Sequence, residues 1–479
     1  MRRLTDFALS MLLPVALVTL LLSACAIGPD YRRPAISSPG SWRVEEPEAR
    51  DLTDTTWWEQ FKDPVLNDLI LIALRENKDV KIAAGRVEEF MGRYAVTRSA
   101  QFPQMTGTGS AARQQFSTLT NPLPSPTLEN PGDLYQAFIN VSWQIDLWGQ
   151  LRRATEGARA DLLSTEEARR AVLLTVVTGV AIAYTDLLDL DKQLEIAERT
   201  AKARENSFNL FTLRYERGLI SELELRQAES EYRSALATIP FIQKLIAQQE
   251  NALSVLLGRN PGPIPRGRQI DDLVLPVVPS GLPSALLERR PDIRQAEQDL
   301  IGANARIGVA KALYFPTIFL TGSYGVASRE LNYLFAGATS AWNYVTPAVV
   351  MPIFTAGATA GQVKIAESVQ QETLFRYQKV IQQAFREVDD ALIDQNRSRE
   401  MLGIQQQQVE ALRSYERLAR LRYDNGYTSY LEVLDAQRSL FQGELLYAQT
   451  QGALFRALVN VYKSMGGGWV TEADKLARE

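Results

Sequence analysis

Apolar residues along the chain follow two different spacings, one typical of strands and one typical of helices. Over residues 135–147 apolar and polar positions alternate, which predicts a strand with one apolar face. Residues 105–117 precede it across a loop rich in proline and asparagine, and we expect them to form its partner strand. The same order returns in the second half of the chain, where it predicts strands at about 317–327 and 341–353.

A long helix is predicted after each strand pair. No proline occurs from Gly132 to Ile239, and between residues 173 and 211 apolar residues recur at steps of three and four, as in coiled-coil helices. A helix over about 150–217 would be roughly 100 Å long, because each residue adds ~1.5 Å. The other predicted helices lie at about 64–100, 221–257, 284–313, 358–425 and 429–464.

Two similar stretches, LRYERGLISELE and LRYDNGYTSYLE, predict sharp reversals between helices. In each, a helical segment ends at Gly218 or Gly426, the residue type that most readily adopts the left-handed conformation after a helix. A serine and then a glutamate follow at the spacing of a capping box, and these pairs are Ser221 with Glu224 and Ser429 with Glu432. The repetition indicates an internally duplicated chain.

These elements predict the domain organisation. The first structural repeat spans residues 64–259, the second spans 283–465, and a proline-rich linker at 260–282 joins them. A C-terminal tail follows at 466–479. Residues 25–63 are rich in proline and tryptophan and cannot form a regular helix, so we predict an extended N-terminal strap there.

The N-terminus resembles a secretory signal. Residues 1–24 carry Arg2 and Arg3 before a short apolar run, which predicts a signal peptide; an uncleaved N-terminal anchor is the alternative. The sequence Leu-Ser-Ala-Cys resembles a bacterial lipobox, which would make Cys25 the acylated first residue of the mature chain. Ala26 follows in place of an aspartate that would resemble an inner-membrane retention signal, so an outer-membrane destination is favoured.

Composition removes several classes of function. The net charge of −4 at pH 7 and the lack of basic stripes argue against nucleic-acid binding. The chain contains no histidine and a single cysteine, Cys25, which excludes His/Cys metal sites and Ser-His or Cys-His catalytic groups. No cluster of carboxylates, lysines or tyrosines indicates catalysis, so we predict no enzyme activity, no cofactor and no metal site.

The predicted strands are long enough to cross a membrane. A tilted strand of about 10 residues spans a bilayer, and aromatic residues near the strand ends, such as Tyr135 and Trp143, are typical of the bilayer interface. Four strands cannot close a barrel, which needs about 8, and lipid does not tolerate open sheet edges. Several copies of the chain must then share one barrel. A soluble four-stranded sheet is the alternative that fits the alternation equally well.

Five segments resemble the outer membrane factor family, the TolC-like, OprM-like and NodT-type lipoprotein channels of tripartite efflux systems. They are CAIGPDYRRP, GLPSALLERRPDIRQAEQDL, ANARIGVAKALYFPTIFLTGSYG, PIFTAG and YLEVLDAQRSLF. The resemblance implies an α+β membrane protein, a trimeric twelve-stranded outer-membrane β-barrel with four strands per chain, continuous with a long periplasmic α-helical barrel. The implied partners are two further copies of the chain, outer-membrane lipid, a periplasmic membrane-fusion adaptor and an inner-membrane efflux transporter of the RND type.

The resemblance also implies a gate at the periplasmic end of the channel. By similarity with the family's Leu-Asp-Ala-Gln motif, Asp435 lies where acidic side chains ring the closed end, and Glu432 lies one turn before it. Three copies of such a carboxylate would favour cations in the pore. The alternatives are a capping role for Glu432 and a solvated helix-surface pair between Asp435 and Arg438.

The two helix reversals are the implied contact surface for the adaptor. The candidate residues are Gly218, Leu219, Ile220, Ser221, Gly426, Tyr427, Thr428 and Ser429. Gly218 and Gly426 are needed by the turns in any case, and the expected exposed residues are Leu219, Ile220, Tyr427 and Thr428.

The predicted function is that of an outer-membrane channel subunit of a tripartite efflux pump, a passive exit duct for drugs or other small molecules. A type I protein secretion outlet and a metal-efflux outlet share the architecture and stay open as alternatives. From another class, a periplasmic coiled-coil scaffold lipoprotein without a pore is the alternative. The predicted location is the bacterial outer membrane, with a lipid anchor and a body that extends into the periplasm.

Overall fold

The structure, a computed structural model, describes residues 26–43, 56–115, 117, 130–276, 278, 283–337, 340–466 and 469–477. The predicted signal peptide, Cys25 and residues 44–55 of the predicted strap lie outside the described residues. The chain forms two compact units. The first combines Met1–Ala35, Glu88–Ser164 and Ala296–Tyr377, and the second combines Ile36–Val87, Thr165–Gln295 and Gln378–Glu479.

The first unit contains an antiparallel sheet of four strands in sequence order. The strands are β1 (Gln104–Gln114), β2 (Gly132–Ile145), β3 (Thr317–Ser328) and β4 (Ser340–Val350). β1 pairs with β2 and β3 with β4, as the alternating pattern predicts, with Met105 opposite Val141. The strands predicted to end at 117 and 353 end earlier, at Gln114 and Val350.

The pairing of β2 with β3 joins the two repeats. Ile139 lies opposite Tyr324, and Ile145 at the end of β2 lies opposite Ile318 near the start of β3. Within the described part of the chain, β1 and β4 each have one side without a strand neighbour. These two edges present unpaired backbone N–H and C=O groups, which lipid cannot hydrogen-bond.

The helices account for most of the remaining chain. They are α1 (Pro64–Glu76), α2 (Lys78–Ser99), α3 (Gln150–Glu216), α4 (Glu222–Leu256), α5 (Leu286–Arg289), α6 (Pro291–Ala312), α7 (Ala358–Asp424), α8 (Tyr430–Met465) and α9 (Trp469–Leu476). The two longest, α3 and α7, have 67 residues each and follow the two strand pairs. The predicted C-terminal tail contains α9.

The prediction of one continuous helix over 64–100 is wrong, because Asn77 separates α1 from α2. The Asn77 side-chain oxygen accepts hydrogen bonds from Asp79 N at 2.8 Å and Val80 N at 3.1 Å, so Asn77 caps α2. Its amide nitrogen donates to Leu256 O at 2.8 Å. A polar residue at this boundary therefore starts a second helix and fastens it to the end of α4.

The helix predicted over 284–313 is likewise divided, at Arg290. Arg290 has an extended backbone, and Pro291 occupies the first position of α6, where its missing N–H is not needed. The Arg290 guanidinium pairs with Asp292 and Glu387, both at 2.7 Å. The break in the helix thus places Arg290, in the second unit, where its side chain connects α6 with α7.

The apolar core of the second unit draws on segments far apart in the sequence. Trp57 stacks on Tyr462 with ring centroids 5.0 Å apart, and Phe61 packs beside Phe455. Among the described helices α3 is the one that is long and apolar enough to span a membrane, but 67% of its apolar window is buried inside the protein. Residues such as Leu173 are fully buried there, so this part of α3 is core.

A buried carboxylate connects this core to the linker between the repeats. Asp63 is fully buried, and it accepts hydrogen bonds from Val65 N at 2.9 Å, Tyr184 OH at 2.9 Å and Arg268 N at 3.0 Å. The Gly267 N–H donates to Tyr184 OH at 2.9 Å. Buried polar groups are costly unless every one is paired, so this network fixes the position of the linker.

Replacing Gly267 with alanine tests the network. The added Cβ would lie 2.0 Å from Asp63 Oδ1, so we expect Gly267→Ala to lower the free energy of unfolding by about 1–3 kcal/mol. Gly262→Ala is the matched control, because a Cβ at Gly262 has no neighbour within 4 Å. Heat-induced loss of the helical circular dichroism signal measures both. Equal thermal midpoints for the two variants would contradict the close fit around Asp63.

Candidate functional site

The first predicted reversal connects α3 to α4 in the second unit. Gly218 has a φ of +69°, its N–H donates to Tyr215 O at 2.8 Å, and Leu219 N donates to Arg214 O at 2.9 Å. The Ser221 capping box is confirmed, since Glu224 N donates to Ser221 Oγ and Ser221 N donates to Glu224 Oε2 at 2.9 Å. Gly218 therefore ends one helix and Ser221 starts the next.

The second reversal, between α7 and α8, repeats the turn but not the cap. Gly426 has a φ of +77°, and Tyr427 N donates to Arg422 O at 2.9 Å. The capping box predicted for Ser429 and Glu432 is wrong, because the Ser429 side chain makes no capping hydrogen bond. The Glu432 carboxylate instead accepts from Thr428 Oγ1 and from Arg422 Nη1, the latter at 3.1 Å. Charge-assisted bonds of this kind are stronger than a neutral cap.

The exposure of the tip residues differs from the sequence expectation in part. Leu219 is 70% exposed and Tyr427 is 79% exposed, as expected for contact residues. Ile220 and Thr428 are half-buried, and Ile220 packs against the apolar cluster beneath the tips. The expectation that all four are exposed is therefore wrong for Ile220 and Thr428.

An aromatic cluster joins the two reversals into one surface. Tyr430, at the start of α8, packs on Phe211 of α3 with ring centroids 4.1 Å apart and on Tyr423 of α7 at 5.3 Å. Tyr430 is 5% exposed, and burial raises the pKa of its hydroxyl. Sequence reasoning missed this cluster, although Tyr423 and Tyr430 on the two sides of the second turn were a visible signal.

Asp435 and Glu432, the gate candidates, both lie in the first two turns of α8, in different surroundings. Asp435 is exposed, and its Oδ2 accepts a hydrogen bond from Tyr415 OH at 3.1 Å. Arg438, the partner considered for Asp435 on the same helix, binds Glu231 of α4 at 2.5 Å. Glu432 is engaged at the tip by Arg422, so Asp435 is the more accessible of the two carboxylates.

Two carboxylates that sequence reasoning missed connect α8 to its neighbours. Glu231 of α4 lies between Arg204 of α3, at 3.0 Å, and Arg438 of α8. Glu444 of α8 lies between Arg199 of α3, at 2.5 Å, and Arg413 of α7, at 2.8 Å. Each glutamate thus links two helices other than its own.

Arg204 is the most enclosed member of these pairs. Its side chain is 5% exposed, it lies 5.4 Å from the centre of the Phe441 ring, and burial lowers the pKa of its guanidinium. A buried arginine stays paired because an uncompensated buried charge is costly, so Arg204 and Glu231 hold α3 and α4 together.

The four-stranded sheet with two open edges and the duplicated long-helix hairpins define an outer-membrane channel protein. Residues 69–259 and 282–467 match the family model described as outer membrane efflux protein, and the chain belongs to this family. The predicted family, the function as an efflux channel and the location in the bacterial outer membrane are thereby confirmed. Members of this family are efflux channels and not enzymes.

Curated relatives and solved structures cover nearly the whole chain. The toluene efflux pump outer membrane protein TtgC of Pseudomonas putida is 34% identical over 97% of this chain and 97% of its own length. The cation efflux system protein CusC of Escherichia coli is 35% identical over 94% of this chain and 97% of its own. The MtrE outer membrane channel of Neisseria gonorrhoeae, solved in its open state, is 30% identical with a TM-score of 0.82, covering 93% of this chain and 99% of MtrE. The predicted fold class, that of the trimeric channels with four strands per chain, is confirmed.

The two serines at the reversals provide a matched test of their different caps. We expect Ser221→Ala to destabilise the first turn of α4 by about 1 kcal/mol, which is roughly a fivefold gain in amide hydrogen exchange. Ser429→Ala should change exchange at the start of α8 much less, because Ser429 makes no side-chain cap. Exchange measured on peptides from both helix starts checks this. Equal effects at the two sites would show that Ser429 does cap α8.

Proposed function

We propose that the chain assembles as a homotrimer whose twelve strands close one outer-membrane barrel and form the passive exit duct of a tripartite efflux pump. The observation that carries this is the pair of open edges on β1 and β4. In lipid an unpaired backbone group costs several kcal/mol, and β1 of one copy pairing with β4 of the next removes both edges. Family membership supports the same assembly.

The proposed partners follow from the pump architecture. A periplasmic membrane-fusion adaptor contacts the tips, and an inner-membrane transporter of the RND type supplies the cargo. Relatives named for toluene efflux and for cation efflux support small molecules or ions as cargo. A metal-efflux outlet is the second candidate, supported by the similarity to CusC. Susceptibility of a deletion strain to solvents, antibiotics and metal salts separates the two.

We also propose that Cys25 is acylated and anchors the chain. The support is the Leu-Ser-Ala-Cys sequence, and Ala26 behind it favours the outer membrane. Radioactive palmitate incorporated into the wild-type protein but not into Cys25→Ser tests the anchor.

The assembly itself is tested on the purified protein. A trimer in detergent that conducts ions in planar bilayers supports the proposal. A monomer would contradict the shared barrel, and a trimer without conductance would contradict the exit duct.

We propose that Asp435 forms the gate and that the main role of Glu432 is to stabilise the tip through Arg422 and Thr428. We expect Asp435→Ala to loosen the closed end of the channel, because the ring of three carboxylates and their hydrogen bonds from Tyr415 are lost. Single-channel conductance should then rise roughly twofold or more. Sensitivity to large antibiotics should rise in parallel. Asp394→Ala, which removes an exposed carboxylate of α7 instead of α8, is the control. Equal conductance in both variants and the wild type would exclude a gate at Asp435.

For the adaptor contact we propose Leu219 and Tyr427. A charge at either exposed apolar position should abolish site-specific crosslinking to the adaptor, because desolvating a charge in the contact is unfavourable. The trimer should persist in Leu219→Asp and Tyr427→Asp. Val255→Asp, 64% exposed near the other end of α4, is the control. If crosslinking and trimer are lost together, the tips are structural turns and not a docking surface.

A further inference from the structure

The first described residues of the chain lie in a groove between α3 and α6, beside the end of β2 and the start of β3. Ile27 N donates to Trp148 O at 3.0 Å, and Trp148 lies shortly after the end of β2 at Ile145. The Trp148 indole N–H donates to Pro316 O at 2.8 Å, and its ring lies 4.8 Å from that of Phe315. Phe315 and Pro316 directly precede β3. The N-terminal segment, defined as residues 26–33, therefore lies next to the point where β2 ends and β3 starts.

The groove has room for the backbone of the N-terminal segment but not for a Cβ atom at three glycine positions. Gly28 has a φ of +110°, and a Cβ on it would lie 2.5 Å from Gly308 Cα of α6. A Cβ on Gly308 would lie 2.5 Å from Ile27 O, and one on Gly149, which precedes α3, would lie 2.7 Å from Ala26 Cα. Three glycines from three separate parts of the chain therefore meet where no side chain fits.

Polar side chains of both α3 and α6 also bind the N-terminal segment. Arg153 of α3, whose side chain is 7% exposed, binds Asp30 at 2.6 Å. Asn304 of α6, also 7% exposed, donates to Pro29 O at 2.8 Å. About two turns nearer the start of α6, Glu297 accepts from Tyr31 OH at 3.1 Å and from Arg33 at 2.7 Å. The segment thus bonds to one helix of each repeat.

We propose that the groove between α3 and α6 is a binding site for the chain's own N-terminal segment, and that its occupancy locks the β2–β3 pairing that joins the two repeats. Among the described strands, the repeats are joined through one strand pair, β2 with β3. The segment adds a second connection at the base of that pair, through Trp148 on one side and α6 on the other. Because Cys25 directly precedes Ala26, the proposed lipid anchor would be attached to this lock.

Gly308→Ala in the full-length protein tests the lock. The methyl group would displace Ile27 from the groove, and we expect trypsin to cut after Arg32 at least about tenfold faster. Amide hydrogen exchange in β2 and β3 should rise by a similar factor. Gly92→Ala, a helical glycine of α2 whose Cβ would have no neighbour within 4 Å, is the control and should match the wild type in both measurements.

Gly28→Ala provides the same measurement without any change to α3 or α6, should Gly308→Ala not fold. Faster cleavage together with faster exchange in β2 and β3 supports the lock. Faster cleavage with unchanged exchange overturns it, because the segment would then be only a tether. Unchanged cleavage in both variants also overturns it, because the groove would then not depend on its glycines. The proposal rests on the fold and not on channel activity, so a protein with an intact lock that conducts no ions would affect only the proposed function.

Discussion

The constraint on which this structure depends is the unpaired backbone at the two edges of its sheet. In the described part of the chain, four strands in sequence order leave β1 and β4 each with one side unpaired, and a bilayer offers the backbone groups there no hydrogen-bond partner. In the described residues β4 carries Pro347 and an irregularity in its pairing register with β3, two features that discourage edge pairing, but neither supplies the missing neighbour strand. Assembly is therefore a requirement of the fold itself. The duplication supplies the second strand pair, and the N-terminal segment contacts the sheet where the two pairs meet. A single chain still cannot complete this sheet.

Duplication copied the turn geometry of the tips but not their side-chain chemistry. Gly218 and Gly426 share the left-handed backbone and the same pattern of carbonyl contacts. After the turn, Ser221 caps α4, whereas Glu432 turns to Arg422 and leaves Ser429 without that role. The backbone geometry is dictated by helix reversal and tolerates little change. The cap is worth only about 1 kcal/mol, so one copy could exchange it for a charged brace.

Much of the fold could be predicted from local spacing, because strand alternation, helix periodicity and the glycine turns are properties of neighbouring residues. The division at Asn77 could not, since its cap looks like any polar position within a helical pattern until Leu256 is brought beside it. The same holds for Asp63, which is an ordinary residue before a proline until Tyr184 and Arg268 surround it. At the candidate site, Gly218 and Gly426 could be placed from sequence. The partners of Arg438 and Glu444 depend on which helices meet, which no spacing encodes.

The contacts of α8 differ along its length in a way that bears on its motion. At its start Tyr430 is buried against Phe211, and apolar packing of this kind is lost steeply when helices separate. Further along, α8 is held by Arg438 and Glu444 through pairs whose surface arginines are about half exposed, whereas the carboxylates of Glu231 and Glu444 are only 13% and 10% exposed. Separating such a pair leaves a nearly buried carboxylate without its partner, which costs more than the loss of a fully exposed pair. Apolar packing at the tip and nearly buried carboxylates further along therefore both resist displacement of α8 from its neighbours.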